Sequence, residues 1–415
     1  MRHPGPGTES PLGSAGQGRS KTISLLVPVY VPTFLLAFSQ GITIPTLPLY
    51  AQLFTSSFGL ISIAVSAAGL GTLLADVPAG TMMARVGRKP LMIVGTAALA
   101  ISSLLLALAH LYPEIIVYRL IFGAGTAMWN ISRMAYITEV IPIADRGRAL
   151  STFGGITRIG VFAGPAVGGF VGQWYGLHAP FLVGAVLATG ALVVSGLFVP
   201  ESHVAPAAGR PHLRWRVVGD LARHHWRDLS TAGAAQIFAQ MIRAGRQTIV
   251  PLYGASVLGL DVAAVGTIIS LSAAIDMSLF VPAGFIMDRL GRKVASVPSF
   301  AVLGVGMALI PFAHNYAGLL LATCVMSLGN GLGSGAMMTL GADLAPREAT
   351  GEFLGVWRLI GDIGGTGGPL VVGGVADALG LGLAAFTLAG IGFFAAATLA
   401  LFVKETLAQP SSSAP

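Results

Sequence analysis

Long apolar runs separated by short polar breaks fill most of the chain. About 20 apolar residues in a helix cross roughly 30 Å of hydrocarbon. The pattern predicts twelve such spans, at 23–47, 58–84, 91–110, 113–138, 150–174, 180–199, 230–255, 261–288, 294–313, 316–342, 351–377 and 382–403. A polar stretch at 200–229 parts the sixth from the seventh and carries Arg210, Arg214, Arg216, Arg223 and Arg227. It reads as a linker, with an amphipathic surface helix placing Trp215 and Trp226 among lipid headgroups. Residues 1–21, rich in Gly, Ser and Pro, predict a disordered tail. The run from Ile23 is too long, and too free of small-residue cleavage sites, for a secretion signal. The expected organisation is a tail at 1–21, a six-helix bundle at 22–199, a linker at 200–229, a second bundle at 230–405 and a tail at 406–415.

The two groups of six repeat one another. Gly80-Thr-Met-Met-Ala84-Arg85-Val-Gly87-Arg88-Lys89 returns 204 positions later as Gly284-Phe-Ile-Met-Asp288-Arg289-Leu-Gly291-Arg292-Lys293. At the same offset Pro78 matches Pro282, Pro142 matches Pro346, Gly164-Pro165 matches Gly368-Pro369, and Glu201-Ser202 matches Glu405-Thr406. Parallel repeats with a site between them suit a transporter. The predicted fold is therefore an all-α polytopic membrane protein of twelve transmembrane helices in two pseudo-symmetric bundles.

Composition agrees. The 415 residues are 54% hydrophobic and only 10% charged, where soluble domains carry about 25% charged residues. The formal charge of +7 would suggest a nucleic-acid partner in a soluble protein, but sidedness explains it here. Apart from Arg119, Arg133, Arg158, Arg243, Arg246 and Arg358, the Lys and Arg residues fall in the tails, the linker and the breaks on one side. None falls in opposite loops such as His110-Leu-Tyr-Pro113. The positive-inside rule makes both termini cytoplasmic in a multi-pass protein of the plasma membrane. A monomer with no nucleic-acid partner is expected. One cysteine, Cys324, allows no disulfide framework. The sequence carries no Gly-x4-Gly-Lys-Ser loop, no His/Cys cluster and no catalytic Ser/His/Asp spacing, so neither an enzyme nor a metal or cofactor is expected.

Spans 3, 6, 9 and 12 are free of Asp, Glu, Lys and Arg and can face lipid. The intramembrane charges lie elsewhere: Asp76 on span 2, Arg119 and Arg133 on span 4, Arg158 on span 5, Arg243 and Arg246 on span 7, Asp276 on span 8, Arg358 and Asp362 on span 11. These helices must line an interior. Such charges either hold the bundles together as buried ion pairs or mark substrate and proton paths. Asp76 and Arg119 favour the second role. Arg158 and Asp362, repeat-related and opposite in sign, are candidates to meet across the pseudo-twofold axis. The excess of arginine favours an anionic, zwitterionic or neutral substrate over a bare cation. Gln40, Trp129, Asn130, Arg133, Arg243, Arg246, Asn330 and Arg358 are the candidate cavity residues. Gly160, Gly164, Pro165, Gly168 and Gly169 in span 5, with Gly368 and Pro369 in span 11, suit close packing and mark a candidate moving interface.

Two six-span halves, a basic turn after spans 2 and 8 and a Gly-Pro-rich span 5 resemble the major facilitator superfamily over about residues 22–405. Residues 80–89 and 284–293 resemble its Gly-x3-Asp-Arg-x-Gly-Arg-Lys/Arg motif. Arg119-x3-Gly123-x-Gly125 is similar to a motif associated with proton coupling, and Gly160–Gly169 to one associated with twelve-span drug:proton antiporters. The resemblance implies that Gly80, Arg85, Gly87, Arg88, Lys89 and their counterparts Asp288, Arg289, Gly291, Arg292, Lys293 latch the cytoplasmic ends of the halves. Glu139 would partner Arg88, and Asp343 would partner Arg292. Ala84 departs from the motif's acidic residue, and span 1 lacks a carboxylate. Proton coupling then falls to Asp76, Asp276 or Asp362, tuned by Arg119. The implied function is proton-coupled efflux of small amphipathic molecules by alternating access. Import or exchange of an anionic metabolite is the alternative, with lipid flipping or a non-transporting receptor on the same fold behind it. With Ala84 weakening the first latch, Asp288→Asn should impair transport more than Ala84→Asp; equal or reversed effects in a transport assay would contradict this.

Overall fold

A computed structural model describes residues 26–141, 143–200, 223, 226–346 and 349–407. After a π-helical turn at Leu26–Tyr30, the first half comprises α1 (Val31–Ala51), α2 (Phe58–Val86), α3 (Arg88–Ala107), α4 (Tyr112–Val140), α5 (Ile143–Tyr175) and α6 (Ala179–Phe198). The second comprises α7 (Trp226–Ser256), α8 (Val262–Ser278), α9 (Phe280–Leu290), α10 (Arg292–Leu309), α11 (Tyr316–Leu332), α12 (Ala336–Leu344), α13 (Thr350–Leu379) and α14 (Leu381–Phe402). Among the described residues there is no strand, and the helices form twelve spans in two bundles. Eleven of these are long and apolar enough to cross a membrane. The twelfth, α7, loses apolarity to Gln236, Gln240, Arg243, Arg246 and Gln247. It also begins within the predicted linker, whose Trp215 and proposed surface helix lie outside the described residues, as do both predicted tails save Thr406 and Leu407.

Two predicted spans are broken in the structure. Pro282 has no N–H to give the Ser278 carbonyl, and span 8 divides into α8 and α9 at Leu279. Span 10 unwinds at Gly333-Ser334-Gly335, where Gly335 takes φ +81°, a conformation that glycine adopts without strain. The basic turns need glycine for the same reason: Gly87 has φ +88° and Gly291 φ +115°. Helix starts also repeat between halves. Ser57 caps α2 by accepting from Leu60 N–H, and Asp261 caps α8 by accepting from Ala264 N–H.

Within the first half α1 packs on α5 and α6, and α4 on α2 and α3; in the second α7 packs on α13 and α14, and α11 on α8 and α10. Helices α3, α6, α10 and α14 lie at the rim and expose Ile101, Val186, Val305 and Leu401 where lipid would lie. The halves meet through α5 on α8 and α2 on α13.

The glycines divide between these two kinds of contact. A Cβ on Gly164 would sit 2.6 Å from Gly41 Cα, and one on Gly168 would sit 2.2 Å from the Ile42 carbonyl. Gly160 likewise abuts Phe38 N at 2.7 Å, and Gly368 abuts the Met241 carbonyl at 2.3 Å. Gly160, Gly164, Gly168 and Gly368 thus join helices of one half and do not form the interface between halves. Four-residue spacing puts Gly160, Gly164 and Gly168 on one helix face, and that face meets α1. Gly169, about 100° further round the helix, does meet the other half, 2.6 Å from the Val262 carbonyl. Gly266 answers it, 2.3 Å from the Pro165 carbonyl.

The contact between halves is closed at one end only. At the end remote from the basic turns, Gln52 donates to Ser256 at 2.8 Å. The Asp377 carboxylate accepts from Ser57 Oγ at 2.6 Å, Phe58 N at 2.6 Å and Gly59 N at 2.9 Å. Toward the basic end, among the described residues, no hydrogen bond or ion pair joins the halves beyond the Arg158–Ser334, Arg158–Asp276 and Arg358–Asp76 contacts, and Gly80, Gly154, Gly155, Gly284, Gly351 and Gly355 have no atom within 4 Å of where a Cβ would stand. The molecule is a V, open at its basic end. Adding a methyl should therefore matter only where helices touch. Gly168→Ala is expected to lower the thermal-unfolding midpoint of the purified protein, by about 1–3 kcal/mol of overpacking. Gly155→Ala should leave the midpoint unchanged or raised, and equal losses in both would contradict the packing described.

Candidate functional site

A cavity of about 290 Å³ lies between the halves, above the point where they part. The first half supplies Gln40, Thr43, Ile44 and Leu47 from α1, Val65 and Thr72 from α2, Arg119, Phe122 and Thr126 from α4, and Val161 from α5. The second half supplies Gln247 from α7. A smaller pocket shares Ile44, Val161 and Gln247 with it and reaches Arg246, Ser272, Asp276 and Ser327. The lining mixes apolar surface with a few convergent polar groups, the usual composition of a small-molecule site.

Two charged clusters span the contact between halves. In the first, Asp276 on α8 faces Arg158 of the other half at 3.6 Å and Arg246 at 3.5 Å. Asn330 donates to Asp276 at 2.6 Å and accepts from Arg243 Nε at 3.0 Å. The unwound segment of span 10 completes the cluster: the Gly333 carbonyl accepts from Arg243 Nη2 at 2.9 Å, and Ser334 Oγ accepts from Arg158. Arg158 also lies 4.2 Å from the centre of the Phe280 ring, and Arg243 lies 5.0 Å from that of Phe300. Three guanidinium groups thus surround one carboxylate.

The second cluster has the opposite balance. Arg358 on α13 faces Asp76 on α2 at 3.5 Å and Asp362, one turn along its own helix, at 3.6 Å. Two carboxylates share one guanidinium. These distances exceed those of hydrogen bonds and describe loose ion pairs. Arg158 and Asp362, expected as candidates to meet across the axis, belong to different clusters. Each of their helices packs on the partner half's α8 or α2, which holds α5 and α13 on opposite flanks of the cavity.

The sequence matches the family model described as Major Facilitator Superfamily over residues 29–369 and again over 234–415. The chain belongs to the Major Facilitator Superfamily. An uncharacterised transporter of this type from Methanocaldococcus jannaschii is 22% identical over 85% of this chain and 91% of its own. The class C tetracycline resistance protein of Escherichia coli is 23% identical over 85% of this chain and 89% of its own. Among solved structures, a D-xylose–proton symporter superposes with a TM-score of 0.76 at 17% identity, over 93% of this chain and 99% of that one, a likeness of fold.

In this superfamily member the basic turns do not join the halves. Arg88 pairs with Glu139, and Arg292 pairs with Asp343 at 3.1 Å and Asp288 at 3.1 Å, each inside its own half. Arg85, Lys89 and Arg289 have no acidic partner among the described residues. The second turn is also tied to the chain's last described segment. Burial acts to raise the Glu405 carboxyl, but the backbone N–H groups of Leu407, Lys293, Arg292 and Thr406 outweigh it and hold the group below its ordinary range. Lys293 Nζ donates to the Ala400 carbonyl at 2.7 Å.

The superfamily cavity omits several expected residues. Trp129 is 3% exposed and packs with Met92 and Leu99 of α3, because Gly95 lets the two helices approach closely. Arg133 is buried against Phe153 and Trp129, 4.0 and 5.8 Å from the ring centres. Asn130 is half-buried outside the cavity lining. Arg243 and Asn330 face each other and not open space. Conversely, sequence reasoning missed Gln247, Ser334 and the contact of Asp377 with α2. The three alternate glycines at 331, 333 and 335 signalled the break that presents Ser334, and an acidic residue near a span end gave only a faint sign of the Asp377 contact. Because Asp276 compensates Arg158 and Arg246 together, substitutions there should couple. Asp276→Asn should destabilise the protein, and adding Arg246→Gln should cost less than on the wild-type background, by about 0.5–3 kcal/mol. A double-mutant cycle of thermal unfolding checks this, and additive effects would refute it.

Proposed function

We propose that the protein is a proton-coupled exporter of small amphipathic molecules in the plasma membrane, working by alternating access. The basic turns would face the cytoplasm, the side that the distribution of Lys and Arg favours, so the described state would receive substrate from inside. The observation that carries the proposal is the Asp76–Arg358–Asp362 cluster. It lies across the α2–α13 contact, where Arg358 faces two carboxylates and the Arg133 guanidinium stands close enough to repel it. A carboxylate buried there can take up a proton, and moving the halves would change which side can deliver it. Asp276 is less suited, because Arg158 and Arg246 already compensate its charge. Asp76 is therefore the first proton carrier, assisted by Asp362. Likeness to a protein named for tetracycline resistance supports export of drug-sized molecules.

Arg119 and Arg246 at the cavity favour one other reading, an importer or exchanger of an anionic metabolite, with Arg243 holding the clamp in shape. Exchange that persists after the proton gradient is collapsed would select that reading. Under the principal one, Asp76→Asn in everted vesicles should abolish proton-driven accumulation of fluorescent amphipathic probes while downhill exchange survives. Full proton-driven transport by that variant would remove Asp76 from the role.

A further inference from the structure

Of the cationic side chains at the cavity, Arg119 alone lacks a counter-charge among the described residues. It is 9% exposed, lines the cavity wall, and its Nε has no hydrogen-bond partner there. Arg246, at the adjoining pocket, is matched by Asp276. Arg119 has only the Phe122 ring, 5.1 Å from its guanidinium carbon. A ring face meets the flat side of a guanidinium and leaves its in-plane N–H edge unused. A buried unpaired cation is costly, and a ligand carboxylate offsets that cost with two parallel hydrogen bonds.

The rest of the lining fits such a ligand. Gln40 of the first half and Gln247 of the second are exposed into the same cavity, and neither carboxamide has a side-chain partner among the described residues. The hydroxyls of Thr43, Thr72 and Thr126 donate to the carbonyls of Gln40, of Ala68 and Gly123, and of Phe122, so they do not compete as free donors. Ile44, Leu47, Val65 and Val161 supply apolar walls. Among the described residues no carboxylate lines this cavity.

We infer that the cavity binds organic monoanions, a carboxylate on a compact apolar body, with Arg119 holding the carboxylate edge-on and Gln40 and Gln247 donating to it from the two halves. This rests on the transport reading above and names its substrate class. Because Gln40 and Gln247 belong to different halves, the anion would also join the halves as it binds.

The test is equilibrium binding, without any gradient, to the full chain in lipid nanodiscs. It compares 2-naphthoate with 2-naphthamide and 2-naphthylmethylammonium, which share a ring and differ in charge, against empty nanodiscs. Naphthoate should bind about tenfold or more tighter than the amide, and the ammonium compound weakest. Arg119→Gln should erase that preference while Arg119→Lys keeps it in weaker form. Should Arg119→Gln fail to fold, Gln40→Leu and Gln247→Leu serve instead, each weakening naphthoate by about threefold or more. No naphthoate binding at millimolar concentration, equal affinity for anion and cation, or an anion preference that survives Arg119→Gln would each overturn the assignment. The binding assay applies no gradient, so loss of the Asp76 assignment leaves the anion preference standing, and failure of the preference leaves that assignment untouched.

Discussion

Charge inside a bilayer has no water to turn to, and in this chain the answer is to place it where the two halves touch. Arg158 of one half meets Asp276 of the other, and Asp76 meets Arg358. The two contacts are not equivalent. On the α5–α8 side one carboxylate, Asp276, faces Arg158 and Arg246, and on the α2–α13 side one guanidinium, Arg358, faces Asp76 and Asp362. The proposed anion site, Arg119 on α4, belongs to neither cluster. In the proposed coupling substrate and proton therefore need not compete for one residue.

Much of this was legible in the sequence. The twelve spans, the repeat and the charge-free rim helices follow from hydropathy and from spacing, since a span must satisfy its backbone internally and a lipid-facing helix cannot carry charge. The pairings Arg88–Glu139 and Arg292–Asp343 follow from two residues facing each other at the ends of neighbouring helices. What was not legible depended on helix rotation. Arg158 and Asp362 share a repeat position, yet the repeat maps α5 onto α13 across the whole cavity, where neither side chain can reach the other. Trp129 and Arg119 lie on one helix, but only Arg119 faces the open space, and the choice was made by a glycine on α3. The unwound Gly333-Ser334-Gly335 segment was visible as glycines, but its use as a hydrogen-bonding site depended on where Arg158 and Arg243 ended up.

The glycine faces separate two mechanical roles. Where Gly164 meets Gly41 and Gly368 meets the Met241 carbonyl, backbone lies on backbone inside one half, a contact that stiffens the half into a rigid lever. Where Gly169 and Gly266 meet, small residues let the two halves approach closely, as the proposed rocking would need. Rigid halves and smooth joints are what rocking about a central site demands.

The fastening at the closed end has a different chemistry. Asp377 seals it by sitting on the first turn of α2, yet Ser57 already caps that helix through Leu60 N–H. Were Asp377 to withdraw, α2 would keep its own cap and water would take up the released donors. Each such exchange is worth only about 0.5–1.5 kcal/mol. Under the proposed alternating access the far end would then serve as a reusable clasp, opened without unravelling the helix it grips. That would keep two oppositely facing shapes close in free energy, within range of what a bound solute and a proton can tip.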